Sequence, residues 1–118
     1  MAERTTLYHH ASAAETTTFS TPDILFDQDS IELLLNVTAI GGTPSMVVTV
    51  EAKDADNAYF PVYTSAAITT VSKLAVSVGP ETSNPAAIPA VFRVSFGISG
   101  GTPSVTFTAV VYAGRIAQ

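Results

Sequence analysis

The side chains able to do chemistry are few and poorly placed for it. His9 and His10 are adjacent, and neighbours on a strand point to opposite faces, so the two rings do not converge on one metal ion. The chain has no cysteine, which removes thiolate ligands, thiol nucleophiles and disulfides together. Asp54-Ala55-Asp56-Asn57 opens like a calcium loop, but Tyr59 and Ser65 stand where the pattern needs a glycine and a bidentate acid. A turn using Asp and Asn side chains to bond its own backbone accounts for those residues better. Asp27, Asp29 and Glu32 read as a solvated acidic loop. No serine lies in a G-x-S-x-G turn, and both histidines fall in the first ten residues, away from the body of the chain. Gly-Gly-Thr-Pro-Ser occurs twice, at 41–45 and 100–104, without the lysine and following helix that phosphate binding requires. Asn36-Val37-Thr38 matches a glycan acceptor but lies inside a strand pattern. The expectation is a protein that is not an enzyme, with no catalytic residues, metal or cofactor.

The elements that carry these residues are strands. Val, Thr, Ile, Phe and Tyr dominate over the Lys, Glu and Gln of exposed helices. Alternation recurs in five segments. Leu33, Leu35, Val37 and Ala39 share a face, as do Met46, Val48, Val50 and Ala52. Leu74, Val76 and Val78 follow, then Phe92, Val94, Phe96 and Ile98, then Val105, Phe107, Ala109 and Val111. A period of two over so many segments predicts half-buried strands around one core. The predicted fold is all-β: a two-layer antiparallel sandwich of about seven or eight strands with an extended N-terminal arm. Residues 1–30 are assigned to the arm, with one possible edge strand and an acidic loop, and residues 31–118 to the sandwich. The two Gly-Gly-Thr-Pro-Ser segments are read as hairpin loops of a repeated unit, and 81–89 as a proline-rich crossover.

Size and charge narrow the partners. A chain of 118 residues suffices for one domain, burying roughly two-thirds of its unfolded surface. The net charge is −5, and the five basic residues, Arg4, Lys53, Lys73, Arg93 and Arg115, are scattered, which argues against nucleic acid. No apolar run approaches the roughly 20 residues of a membrane helix, and no signal peptide opens the chain, so manufacture in a cytoplasm is expected. Beyond Glu81 the only charges are Arg93 and Arg115, a stretch ill equipped to keep an outer face wet. The alternation also leaves Leu34, Val47, Val91, Val110 and Tyr112 facing outward. With Leu7 and Tyr8 of the arm, these are the candidate partner-contact residues.

Four segments resemble a group of small proteins encoded among the virion genes of tailed bacteriophages. They are LYHHASAAETTT (7–18), IELLLNVTAIGGTPSMVVTVEAK (31–53), AAITTVSKLAVSVGP (66–80) and FRVSFGISGGTPSVTFTAVVY (92–112). The group runs as a Ser-Ala-rich start, a GTPS hairpin, a strand closing in VGP, and a final GGTPS hairpin. Here the Asp54–Tyr59 turn is shorter and lacks the glycine often found in it. The resemblance implies a virion structural protein, with capsid decoration, or cement, as the first expectation. In that role a homo-oligomer bridges subunits of the major capsid protein, and residues 5–19 add a strand to an open edge. A tail, baseplate or head–tail junction part is the alternative. A host-surface carbohydrate-binding module built on Tyr59, Phe60 and Tyr63 is the second.

Overall fold

The computed structural model describes residues 2–25, 30–79 and 91–116. The predicted 81–89 crossover and the acids Asp27 and Asp29 lie outside the described residues. Seven strands appear: β1 (Ala2–Glu15), β2 (Phe19–Ser20), β3 (Ile24–Leu25), β4 (Ser30–Lys53), β5 (Tyr59–Thr64), β6 (Ser72–Val78) and β7 (Val91–Ile116). All pairings are antiparallel, and hydrogen bonding joins every strand into one sheet, with the path β1-β7-β4-β5. The all-β expectation holds.

The expected hairpins at Gly41–Ser45 and Gly100–Ser104 do not form. Each repeat segment lies inside a single long strand, and the two segments pair with each other: Gly41 faces Ser104, Thr43 faces Gly101 and Pro44 faces Gly100. The first half of β4 pairs with β6 and the second half of β7, and its second half pairs with β5 and the first half of β7. The alternating stretches are strands as expected, but the expected hairpin partners are successive stretches of one strand.

Sequence explains how one strand keeps a core on both stretches. Inward residues of β4 are odd-numbered up to Val37 and even-numbered from Met46; those of β7 are even up to Ile98 and odd from Val105. The register of the β4–β7 pair slips between Val37 and Ala39, and again between Gly41 and Thr43. The first slip adds a residue to β4 and the second adds one to β7. Each extra residue inverts the alternation beyond it. Gly42 (φ 70°) and Gly100 (φ 121°) supply the backbone turn that L side chains resist. There the strands also come too close for a side chain: a Cβ on Gly42 would lie 2.2 Å from the Thr102 carbonyl oxygen, and one on Gly100 2.1 Å from that of Thr43.

The result is a sheet bent across its middle. The rings of Phe96 and Phe107, both on β7, have centroids 5.3 Å apart, where a straight strand would separate the residues by about 36 Å. The inward residues of both halves form one buried cluster, in which Phe92, Phe96, Phe107, Leu33, Met46 and Val48 are completely covered. Burying side chains of this kind contributes about 1.5–3 kcal/mol each before entropy is counted.

The N-terminal region lies on the same sheet. β1 runs along the second half of β7, with bulges at Leu7 and between His10 and Ala13. Residues 18–25 then step along the first half of β7, where two threonine hydroxyls stand in for ladder groups. Thr18 Oγ1 accepts from the Ile98 amide at 2.9 Å, and Thr21 Oγ1 accepts from the Val94 amide at 3.0 Å. Thr21 is buried and also donates its hydroxyl to the Pro22 carbonyl. Ser65 does the same on the far side, accepting from the Val48 amide and donating to the Ala66 carbonyl.

Candidate functional surfaces

The bend gives each half of the sheet an outer face, and the two faces differ in chemistry. On the half built from β1, the end of β7, the start of β4 and β6, outward residues align in cross-strand rows. His9, Val110, Leu34 and Ala75 form the central row. Tyr112, Glu32 and Ser77 lie on one side of it, and Thr108, Asn36 and Lys73 on the other. Leu34 is 36% exposed, and around it lies a shallow depression of ≈ 410 Å³ bounded by Leu34, Asn36, Lys73, Ala75, Thr108 and Val110. Glu32 and Lys73 are the only charged residues in these rows.

The other half carries an ionic network that the sequence did not announce. Lys53 Nζ lies 2.6 Å from Asp23 Oδ2, and the Tyr59 hydroxyl donates to Asp23 Oδ1 at 2.6 Å. Arg93 Nε donates to Glu51 Oε1 at 2.9 Å, while its guanidinium carbon sits 3.6 Å from the centre of the Tyr59 ring. The bonds from Lys53 and then Tyr59 hold the Asp23 carboxyl below its ordinary range. The same bonds to Asp23 push both the Lys53 ammonium and the Tyr59 phenol up. The network ties the tip of the 18–25 segment to β4, β5 and β7. Lys53 and Arg93, scattered in sequence, meet here because β4 and β7 pair, and only the register reveals it.

The predicted contact residues divide between these regions. Leu34, Val110 and Tyr112 share the first face. Val47 and Val91 lie on the other half, opposite Gly97 and Leu25, and do not join them. Leu7 and Tyr8 pack against the core from β1, and burial, followed by the charge of Glu15, raises the Tyr8 phenol. His9 is exposed, whereas His10 turns inward. The His10 ring stacks on Phe107 at 4.5 Å and Phe19 at 5.4 Å, with Nδ1 3.2 Å from the Phe107 carbonyl oxygen and Nε2 3.8 Å from Glu15 Oε2. Asp54 Oδ1 accepts from the Asp56 and Ala58 amides at 2.9 and 2.8 Å, the side-chain turn its sequence predicts. Among the described residues, no three His, Cys, Asp or Glu gather to hold a metal ion.

The class defined by this geometry is an all-β antiparallel protein with a leucine–valine pair at the centre of one outer face and an ion pair at the equivalent place on the other. No family model and no curated protein matches the chain. Among solved structures it is similar to the SPBc2 prophage-derived protein YomS, with 15% identity and a TM-score of 0.49 over 96% of each chain. That likeness is too distant to carry function.

Proposed function

We propose that this chain is a non-enzymatic bacteriophage virion structural protein that decorates the capsid, bridging subunits of the major capsid protein as a cement. The observation that carries the reading is the edge strand β1. It borders the sheet for 14 residues, pairs only with β7 among the described strands, and from Thr5 to Ala14 bears no Asp, Glu, Lys, Arg or Pro. Proteins blunt such an edge with charge, proline, bulges or a cover; β1 carries two bulges but neither charge nor proline over Thr5–Ala14, and an open edge is suited to strand addition by a neighbouring subunit. The phage-like course of the four segments points to the same setting. The carbohydrate reading has less support, because Arg93 covers one face of the Tyr59 ring and leaves Phe60 as the one largely exposed ring of the three.

The test is the chain's place in the particle. Gel densitometry of purified virions should find it in hundreds of copies, and particles lacking it should lose DNA on heating or chelation before complete ones do. A handful of copies per particle would assign it to the tail or head–tail junction, and absence from virions would end the reading.

A further inference from the structure

We propose that the outer face centred on Leu34 is a self-complementary contact at which two copies of this chain stack face to face about a two-fold axis. The proposal deepens the decoration reading by naming the oligomer contact, and it rests on three observations.

The first comes from the repeat. Leu34 and Arg93 stand at the same distance ahead of the first glycine of their Gly-Gly-Thr-Pro-Ser segments, and Val110 and Glu51 at the same distance behind it. Each pair is directly opposed across β4 and β7. The two pairs are thus equivalent places in one architecture. In one half the place is filled by an ion pair suited to water. In the other it is filled by leucine and valine, with Leu34 36% exposed. The two equivalent places therefore differ in chemistry at their centres, an ion pair in one and an apolar pair in the other, while the ionic half also carries Leu25, 79% exposed, opposite Val91.

The second observation is charge placement. Glu32 lies one row to one side of the central row His9–Val110–Leu34–Ala75, and Lys73 one row to the other. A two-fold axis along the central row exchanges the flanking rows. Lys73 then faces the partner's Ser77, one strand spacing, about 4.8 Å, from the partner's Glu32. A lysine spans that offset across sheets stacked about 10 Å apart, and symmetry makes the pairing twice. Leu34 meets its own copy at the centre.

The third is area. Four strands by three rows cover about 400 Å², half of the roughly 800 Å² per partner in a standard stable interface. The dimer should therefore be weak when isolated. It becomes lasting where many copies are held together on one particle.

A chain without cysteine makes a direct experiment possible. Purified Leu34→Cys, treated at about 100 μM with a short bis-thiol-reactive cross-linker that spans sheets stacked about 10 Å apart, a gap too wide for a direct disulfide, should convert mostly to a covalent dimer. Val47→Cys, on the other outer face, and Ser12→Cys, on the exposed part of β1, should each give under about a tenth of that. Adding Lys73→Glu to Leu34→Cys should slow cross-linking about tenfold, and the swap Glu32→Lys/Lys73→Glu should restore it to within about twofold. Circular dichroism of each variant checks that it remains folded. Equal cross-linking at Val47→Cys, dominant cross-linking at Ser12→Cys, or no rescue by the swap would overturn the proposal. Virion copy number plays no part in these readouts, so failure here leaves the capsid reading to its own test.

Discussion

Replacing Gly42 by alanine should be among the most damaging small changes available to this chain. At φ 70° an L residue costs about 1–2 kcal/mol from its own backbone. The new methyl group would also lie 2.2 Å from the Thr102 carbonyl oxygen and 2.7 Å from that of Gly101. Both atoms are backbone, so relief requires parting β4 from β7 where Thr43 faces Gly101. Losing two cross-strand hydrogen bonds there adds about 2 kcal/mol, for a total of about 3–4 kcal/mol. Against a typical stability of about 5–15 kcal/mol this is a large fraction. With a urea dependence of about 2 kcal/mol/M, the midpoint should fall by about 1.5–2 M. The reference variant is Gly97→Ala, whose added carbon would meet only the Val47 carbonyl oxygen at an ordinary 3.6 Å. It should be neutral or slightly stabilising. Urea melts followed by circular dichroism at the strand minimum compare the two. A Gly42→Ala loss no greater than the backbone cost alone would mean that the segment is an open loop, and the bent-strand account would fail.

Two further outcomes follow from the N-terminal tether. Asp23 is held below its ordinary range, so its contribution is fully present above the unfolded value of about 3.9 and is lost as pH falls through the folded one. Asp23→Asn should remove that acid-side loss and let Tyr59, now held up by Asp23, ionise nearer to 10; phenolate absorbance during an alkaline titration reads this directly. Tyr8 should stay raised in the variant, since burial is its main cause. Thr21→Val keeps the shape but leaves the buried Val94 amide without its 3.0 Å acceptor. It should cost about 1–3 kcal/mol, with faster hydrogen exchange at Val94, and an unchanged exchange rate would count against the side-chain ladder.

The alternation of Leu33–Val37, Met46–Val50, Phe92–Ile98 and Val105–Val111 carried the strand class and nearly the whole core, because burial on one face imposes a period of two whatever the topology. The topology was not legible. Gly-Gly-Thr-Pro-Ser is equally good as a hairpin loop or as a bend, and the difference lies in which distant strand supplies the hydrogen bonds. The inverted parity between Val37 and Met46 was present in the sequence, but a loop and a bulge both produce it. The outward Leu34, Val110 and Tyr112 were readable as a set, whereas Val47 and Val91 separated from them only once the bend was known. The Asp23–Lys53–Tyr59–Arg93 network was hidden because its members come from three strands and the segment just before β3, and their meeting depends on cross-strand register. Nothing in the sequence around Thr18 and Thr21 marks them out, and their role appears only beside the amides of Ile98 and Val94.

Because β4 and β7 each traverse both halves of the molecule, neither half can melt while the other stays intact. Cutting the chain between β6 and β7 would yield two fragments that each hold only one member of every β4–β7 pairing. Unfolding should accordingly be all-or-none, and assembly slow, since Ser30 must find Gly114 before the sheet can close. A load applied to one outer face is passed along two unbroken backbones to the other face, as along a pair of bent rods.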